Sequence, residues 1–440
     1  MARAPPSPLR CATSPATRRI TCPTTRAASP IRRPPRTVAE RNEPRPARIN
    51  RRRLLGGGAV AAGAAGIGLG AAARIGRRDP DPSSEDATVP FYGPHQAGID
   101  TLPQAHAAFI AFDLKPGARH DDLVGLLKIW TGDAARLTQG RPALADTEPE
   151  LALRPARLTV TVGFGPAVFP ATGLEQHRPS WLRPLPPFAI DRLESAWSGG
   201  DLLLQVCADE VTTVSHAVRV LCRSVSSLVT VRWVQRGFRN AAPGRTPRNL
   251  MGQVDGTVNL APGTPEFARL VWDDGAARPW LGGGTSCVLR RIAMALDTWD
   301  EIDREERELT VGRTVANGAP LTGADEFDEP DFAAVDANGI PVIPPSSHIA
   351  RAHHTHDGER FLRRGYNYDD APTPGRISNS GLLFAAYQRD VDTQFVPVQR
   401  RLAEFDALNV WTTPIGSAVF VIPPGVPAPG GYLGQSLFEA

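Results

Sequence analysis

Ala107-Ala108-Phe109-Ile110-Ala111-Phe112-Asp113-Leu114 is a short apolar run, and residues 121–137 follow it with apolar positions at helical spacing behind Asp121 and Asp122. A run of this length without polar alternation suits a strand covered on both faces. Acids at the head of a 3.6-residue pattern mark the start of a helix. Outward from this pair the same grammar continues. Residues 158–162 and 202–207 read as strands separated by a Pro-rich stretch, 210–223 as a helix and 229–235 as a strand. After a polar, Pro-containing connection the order recurs, with strands at 285–295, 382–387 and 418–422 and helices at 299–309 and 390–402. Strands mixed with helices without strict β-α-β alternation predict an α+β fold rather than a doubly wound parallel sheet. Two ferredoxin-like halves, residues 88–260 and 261–440, fit the order. The halves resemble each other in element order only; no repeat is visible in the residues.

The 440 residues, 41% hydrophobic and 22% charged, are enough for one or two domains with a real core. The formal net charge of +3 misleads, because residues 1–73 hold 14 Arg against Glu40 and Glu43, which leaves −9 on the rest. An acidic body has no general attraction for phosphate, so a nucleic-acid partner is not expected. Of five cysteines, Cys11 and Cys22 lie near the N-terminus, and Cys207, Cys222 and Cys287 have no CxxC spacing. Neither a zinc site nor a disulfide framework is implied.

Residues 1–50 are rich in Pro, Arg, Ser and Thr and carry too little apolar surface to fold. Asn50-Arg51-Arg52-Arg53-Leu54-Leu55, the Gly/Ala stretch behind it and Ala71-Ala72-Ala73 resemble a twin-arginine export signal with cleavage after Ala73. The alternative is a membrane anchor over residues 54–73, against which stand seven glycines in twenty positions. Residues 74–87 read as a linker.

Three stretches carry candidate chemistry. Asn249-Leu250-Met251-Gly252-Gln253-Val254-Asp255-Gly256-Thr257-Val258-Asn259 sets a lone acid between glycines, which fits either a pocket carboxylate or a plain turn. Ser347-His348-Ile349-Ala350-Arg351-Ala352-His353-His354-Thr355-His356 gathers four of the nine histidines, which fits a haem or other metal ligand, a zinc or copper site, or a solvated loop. No HExxH or cysteine partner supports zinc. Phe361-Leu362-Arg363-Arg364-Gly365-Tyr366-Asn367-Tyr368 places two arginines among strand-forming aromatics, which fits an oxyanion or propionate clamp or a surface ion pair.

Taken together these stretches resemble the dye-decolourising peroxidase family, from about Val89 to Phe438. Further matches are Phe91-Tyr92-Gly93-Pro94-His95-Gln96-Ala97-Gly98-Ile99, Trp280-Leu281-Gly282-Gly283-Gly284-Thr285 and Gly416-Ser417-Ala418-Val419-Phe420. The resemblance implies ferredoxin-like halves joined in a dimeric α+β barrel, one haem b per chain, and hydrogen peroxide and an organic reductant as substrates. It implies His348 as iron ligand, Asp255 and Arg363 as the peroxide-activating pair, and Gly256, Thr257, Val258, His353, His354 and Thr355 against the haem. Asp331 is the expected carboxylate behind the ligand, and Trp299 and Tyr366 are the expected relay for oxidising bulky reductants at the surface. His356 is unassigned, and a homo-oligomer is left open. The sequence departs from the family at Gln253, where an aromatic is usual, at Ser346, where an acid often stands, and at Ala350, commonly arginine. An exported haem-handling role that releases iron from haem, a deferrochelatase, is the alternative within the same scaffold.

Overall fold

β1 (His106–Leu114) is buried on both faces, and its residues alternate between two cores. Ala108, Ile110 and Phe112 face one cluster, while Ala107, Phe109 and Ala111 face another. The period-2 alternation of a strand puts successive side chains on opposite faces, so an unbroken apolar run is what a strand between two cores requires. The computed structural model describes residues 86–240, 245–372 and 374–440. The expected export signal with its long n-region, residues 1–73, and most of the expected linker at 74–87 lie outside them.

The first half continues with α1 (His120–Leu137), β2 (Thr159–Phe164), β3 (Leu202–Ala208), α2 (Val211–Ser224) and β4 (Val229–Phe238). Leu123, Leu126, Leu127, Trp130, Ala134 and Leu137 form the buried stripe of α1, and the Asp122 carboxylate accepts from the Arg119 N–H at its start. The second half has β5 (Thr285–Met294), α3 (Arg304–Val311), α4 (His348–Ala352), β6 (Leu362–Asp369), β7 (Ser380–Gln388), α5 (Val396–Phe405) and β8 (Thr412–Ile422). Spatial order is β4-β1-β3-β2 in the first sheet and β8-β5-β7-β6 in the second, antiparallel throughout. Each half is thus ferredoxin-like, with the same 4-1-3-2 order. The sheets meet at Phe164 with Val421 and at Phe238 with Asn367, which closes an eight-stranded barrel.

Two expected helices differ. Residues 299–309 are not continuous, because Asp303 caps a fresh start: its side chain accepts from the Glu306 N–H, and α3 ends on Gly312 in the left-handed region. Residues 390–402 begin as a π-helical turn, Val391–Phe395, capped by Asp390, and run into α5.

The halves differ in what fills the space between sheet and helices. Under α1 and α2 it is packed with side chains such as Leu126, Trp130 and Leu221. On the corresponding face of the second sheet, Ile292, Leu382 and Phe384 look across an open cavity of about 300 Å³ to Val398 and Leu402 of α5. That difference positions the site.

Candidate active site

His348 opens α4, and its Nδ1 lies 2.7 Å from Oδ2 of Asp406 just beyond α5. A carboxylate only accepts, so Nδ1 carries a proton, and Nε2 is the nitrogen left for a ligand in the cavity that His348 lines. Asp406 is itself fixed, its other oxygen accepting from the Leu408 N–H at 2.9 Å. Burial disfavours a charged His348 ring, but the charge and hydrogen bond of Asp406 outweigh it and raise the pKa above the ordinary histidine value. The carboxylate behind His348 is therefore Asp406 and not Asp331. Asp331 is exposed and accepts from the Ala333 N–H in its own loop. The two partners are 58 residues apart in the chain, which no local pattern reveals.

Asp255 enters from a tight loop whose frame is Asn249. Asn249 Oδ1 accepts from the N–H of Met251 at 3.0 Å and of Gln253 at 3.3 Å, and its Nδ2 donates to Asp255 Oδ2 at 3.3 Å. The Asp255 N–H donates to the Pro247 carbonyl at 2.9 Å. Gly256 follows at φ +117°, a conformation open to glycine, and swings the chain from Asp255 to Thr257. The loop does contain a turn, at Asn249 to Gly252, but the Asp255 side chain is not what closes it; it lines the cavity.

Arg363 of β6 faces the same cavity. Its Nη2 donates to the Val258 carbonyl at 2.5 Å, and its backbone exchanges two hydrogen bonds with the Asn259 side chain at 2.9 and 2.8 Å. Asn259 thus ties the Asp255 loop to the arginine strand, a role the sequence reading did not give it. Arg313, also missed, is a second cation on the wall; it is buried and held by the carbonyls of Gly318 and Glu326 at 2.7 and 2.9 Å. Burial lowers its pKa, the Glu326 charge opposing.

Gly256, Thr257, Val258, His353 and His354 all line the cavity, whereas Thr355 is not among its walls and donates its N–H to Glu359. His353 lies between Phe332 and His354, its ring tilted against both, with ring centroids 5.0 and 4.6 Å away. Burial, and then the neighbouring His354, lower its pKa. His356 is exposed, near Glu359. Gln253, 4% exposed, is part of the Asp255 wall.

The two relay candidates are not surface residues. Trp299 is 1% exposed, donates to the Met251 carbonyl at 3.0 Å and packs edge-on against Trp411, itself 9% exposed. Tyr366 is fully buried on the opposite face of β6 from Arg363, inside the barrel. Strand alternation put it there.

One wall thus offers an imidazole backed by a carboxylate, the others an acid and two guanidiniums, with Met251, Ile292, Leu382 and Phe384 between them. This donor set fits a haem held by one imidazole, with acid–base groups left over for a second reactant, which defines a haem oxidoreductase. The family models for the Dyp-type peroxidase N-terminal and C-terminal parts match residues 96–239 and 246–427. A dye-decolorizing peroxidase of Thermobifida fusca (strain YX) is 39% identical over 88% of this chain and 96% of its own. A deferrochelatase of Yersinia pestis bv. Antiqua (strain Nepal516) is 36% identical over 89% and 95%. The crystal structure of a DyP-type peroxidase from Cellulomonas bogoriensis superposes with a TM-score of 0.79 at 56% identity, covering 81% of this chain and 99% of that one. The chain belongs to the Dyp-type peroxidase family, whose members are haem proteins.

Proposed function

We propose that the chain binds one haem b through His348 and uses Asp255 and Arg363 to cleave hydrogen peroxide, oxidising dyes, phenols or other organic reductants. The observation that carries this reading is the 2.7 Å His348–Asp406 pair, which leaves Nε2 free toward the cavity that Asp255 and Arg363 also line. Haem held by His348 would supply a redox-active iron and the two electrons that O–O cleavage requires. Asp255 takes the proton from the inner oxygen and delivers it to the outer one, which leaves as water. Arg363 offsets the negative charge that builds on the departing oxygen. Asp406 orients the His348 ring and strengthens its donation. Gly256 to Val258 and His353 with His354, which line the cavity, would lie against the haem, and Thr355 would stand behind them with its N–H on Glu359.

Absorption spectra of the haem-loaded protein before and after peroxide, followed by dye turnover, test the reading. A Soret band that shifts on peroxide and returns as dye is consumed supports it. Its absence after reconstitution with haemin overturns it.

Similarity to a deferrochelatase supports a second reading, release of iron from haem. Free iron with intact protoporphyrin identifies that activity. Retained haem with peroxide-dependent dye oxidation identifies the first.

The Arg51-Arg52-Arg53 segment supports export through the twin-arginine machinery to the envelope or beyond. Among the described residues no helix is long and apolar enough to cross a membrane. Fractionation of cells carrying Arg51 to Arg53 replaced by lysine tests it, since cytoplasmic retention is the expected result.

A further inference from the structure

The Asp255 wall of the cavity carries a side chain that the protein leaves unsatisfied. Gln253 is 4% exposed, lines the cavity, and has a buried Nε2 with no hydrogen-bond partner. Among the described residues its Oε1 also receives no hydrogen bond; only its backbone is tied, the N–H to Asn249 Oδ1 at 3.3 Å and the carbonyl to the Asn249 N–H at 3.0 Å. A buried amide donor without an acceptor costs folding free energy, and few such groups persist in native proteins. The loop is not generally slack, because Asn249, four residues away, uses Oδ1 twice and Nδ2 once. Since neither end of the Gln253 amide is bonded, a half-turn about its terminal torsion exchanges donor and acceptor without breaking a protein hydrogen bond.

We propose that Gln253 is a positioning residue of the peroxide site, its amide N–H donating to an oxygen of the small ligand held beside Asp255. The proposal rests on the reading of this cavity as the haem and peroxide site. The chemistry of the two side chains is complementary. An ionised Asp255 only accepts hydrogen bonds and so holds the O–H of peroxide, while the amide of Gln253 donates to a lone pair of the same molecule. Hydrogen peroxide has both, so the pair recognises it at both polarities. An aliphatic or phenylalanine side chain at this position gives the ligand no such donor.

Fluoride is the probe, because it accepts hydrogen bonds, carries no proton and needs no turnover. Imidazole is the control, since the N–H at its outer edge gains nothing from a donor. Titration of the haem-loaded protein, followed by absorption, is expected to show fluoride binding about 10- to 100-fold weaker in Gln253→Leu and Gln253→Met, the loss of one hydrogen bond to an anion. Imidazole binding should stay within twofold of the parent. The haem-free Gln253→Met protein should unfold at a higher midpoint than the parent, because it has lost the orphaned amide and kept the volume. If Gln253→Leu fails to fold, Gln253→Met decides. Unchanged fluoride affinity in a variant whose parent responds overturns this proposal alone, as does an equal loss for imidazole. A parent with no fluoride response overturns the haem-site reading and this proposal with it.

Discussion

Arg363 and Arg364 are neighbours in sequence and occupy opposite sides of β6. Arg363 lines the cavity and reaches the Val258 carbonyl. Arg364 is 1% exposed inside the barrel, donating to the Thr101 carbonyl at 2.6 Å and to Gln104 Oε1. The two substitutions should therefore fail in different ways.

Arg363→Leu is expected to keep fold and haem while slowing the reaction with peroxide about 10²–10³-fold, the usual effect of removing one preorganised donor. Arg364→Leu strands the buried Gln104 Oε1, at about 1–3 kcal/mol, and frees the half-buried Thr101 carbonyl, so its loss should appear in urea unfolding. Stopped-flow mixing with peroxide and denaturant titration of both variants separate the roles. A stable Arg364→Leu protein with a slow peroxide step, beside a normal Arg363→Leu, reverses the assignment.

Asp406→Ala should weaken haem binding about 10–100-fold, the range seen when the carboxylate behind a ligating histidine is removed. Asp331→Ala should change nothing, since Asp331 is exposed and bonded within its own loop. Haem transfer to an excess of a competing apoprotein measures both. Equal affinities for Asp406→Ala and parent would show that the 2.7 Å pair does not orient the ligand.

Far from the cavity, Asp133 on α1 gives a pH-dependent stability. Burial raises its carboxyl above the ordinary value, a hydrogen bond with Ser224 opposes, the charge of Asp146 adds and that of Arg136 subtracts. Asp146 is in turn engaged by the buried His216 at 2.9 Å. A carboxyl whose pKa is raised on folding binds its proton more tightly when folded. Its contribution is full below the unfolded pKa, near 3.8, and is lost as pH rises through the folded one. Asp133→Asn, neutral at every pH, should therefore be more stable than the parent at pH 7 and lose that advantage as the pH falls toward 3.8. Urea unfolding at both ends of the range checks this, and a pH-independent difference would refute it.

How far the sequence reaches is visible in particular residues. The run through Phe112 is legible because a strand buried on both faces has no choice but to be apolar. The doubled 4-1-3-2 order is legible only as an order of elements, since two sheets with the same topology can be filled by unrelated side chains. His348, Asp255 and Arg363 lie in recognisable stretches and converge on one cavity. Asp406 carries no local signal, because its pairing with His348 exists only once α4 and α5 pack together. The burial of Tyr366 is legible for a simpler reason: counting by twos from Arg363 leaves it on the other face of β6, in the barrel interior. The break after Trp299 was also written in the chain, as Asp303 with Glu306 and Gly312.

Asp255→Asn separates proton transfer from architecture. The carboxylate holds its place through Asn249 Nδ2, 3.3 Å from Oδ2, and through its own N–H to Pro247. An asparagine of nearly the same size keeps the backbone bond, and it keeps the side-chain bond by turning its carbonyl oxygen toward Asn249. Its NH₂ then points to where the second carboxylate oxygen stood, so a group that accepted a proton is replaced by one that only donates hydrogen bonds. Fold, haem content and the His348–Asp406 pair should be unchanged. The peroxide step should slow by about 10²–10⁴-fold, the usual contribution of a positioned acid–base group. An amide neither gains nor loses a proton in this range, so any acid limb that Asp255 gives the parent's rate should vanish in the variant. Stopped-flow rates from acid to neutral pH decide it. A variant that matches the parent in rate and pH profile would leave proton transfer to solvent and reduce Asp255 to a residue that only shapes its loop.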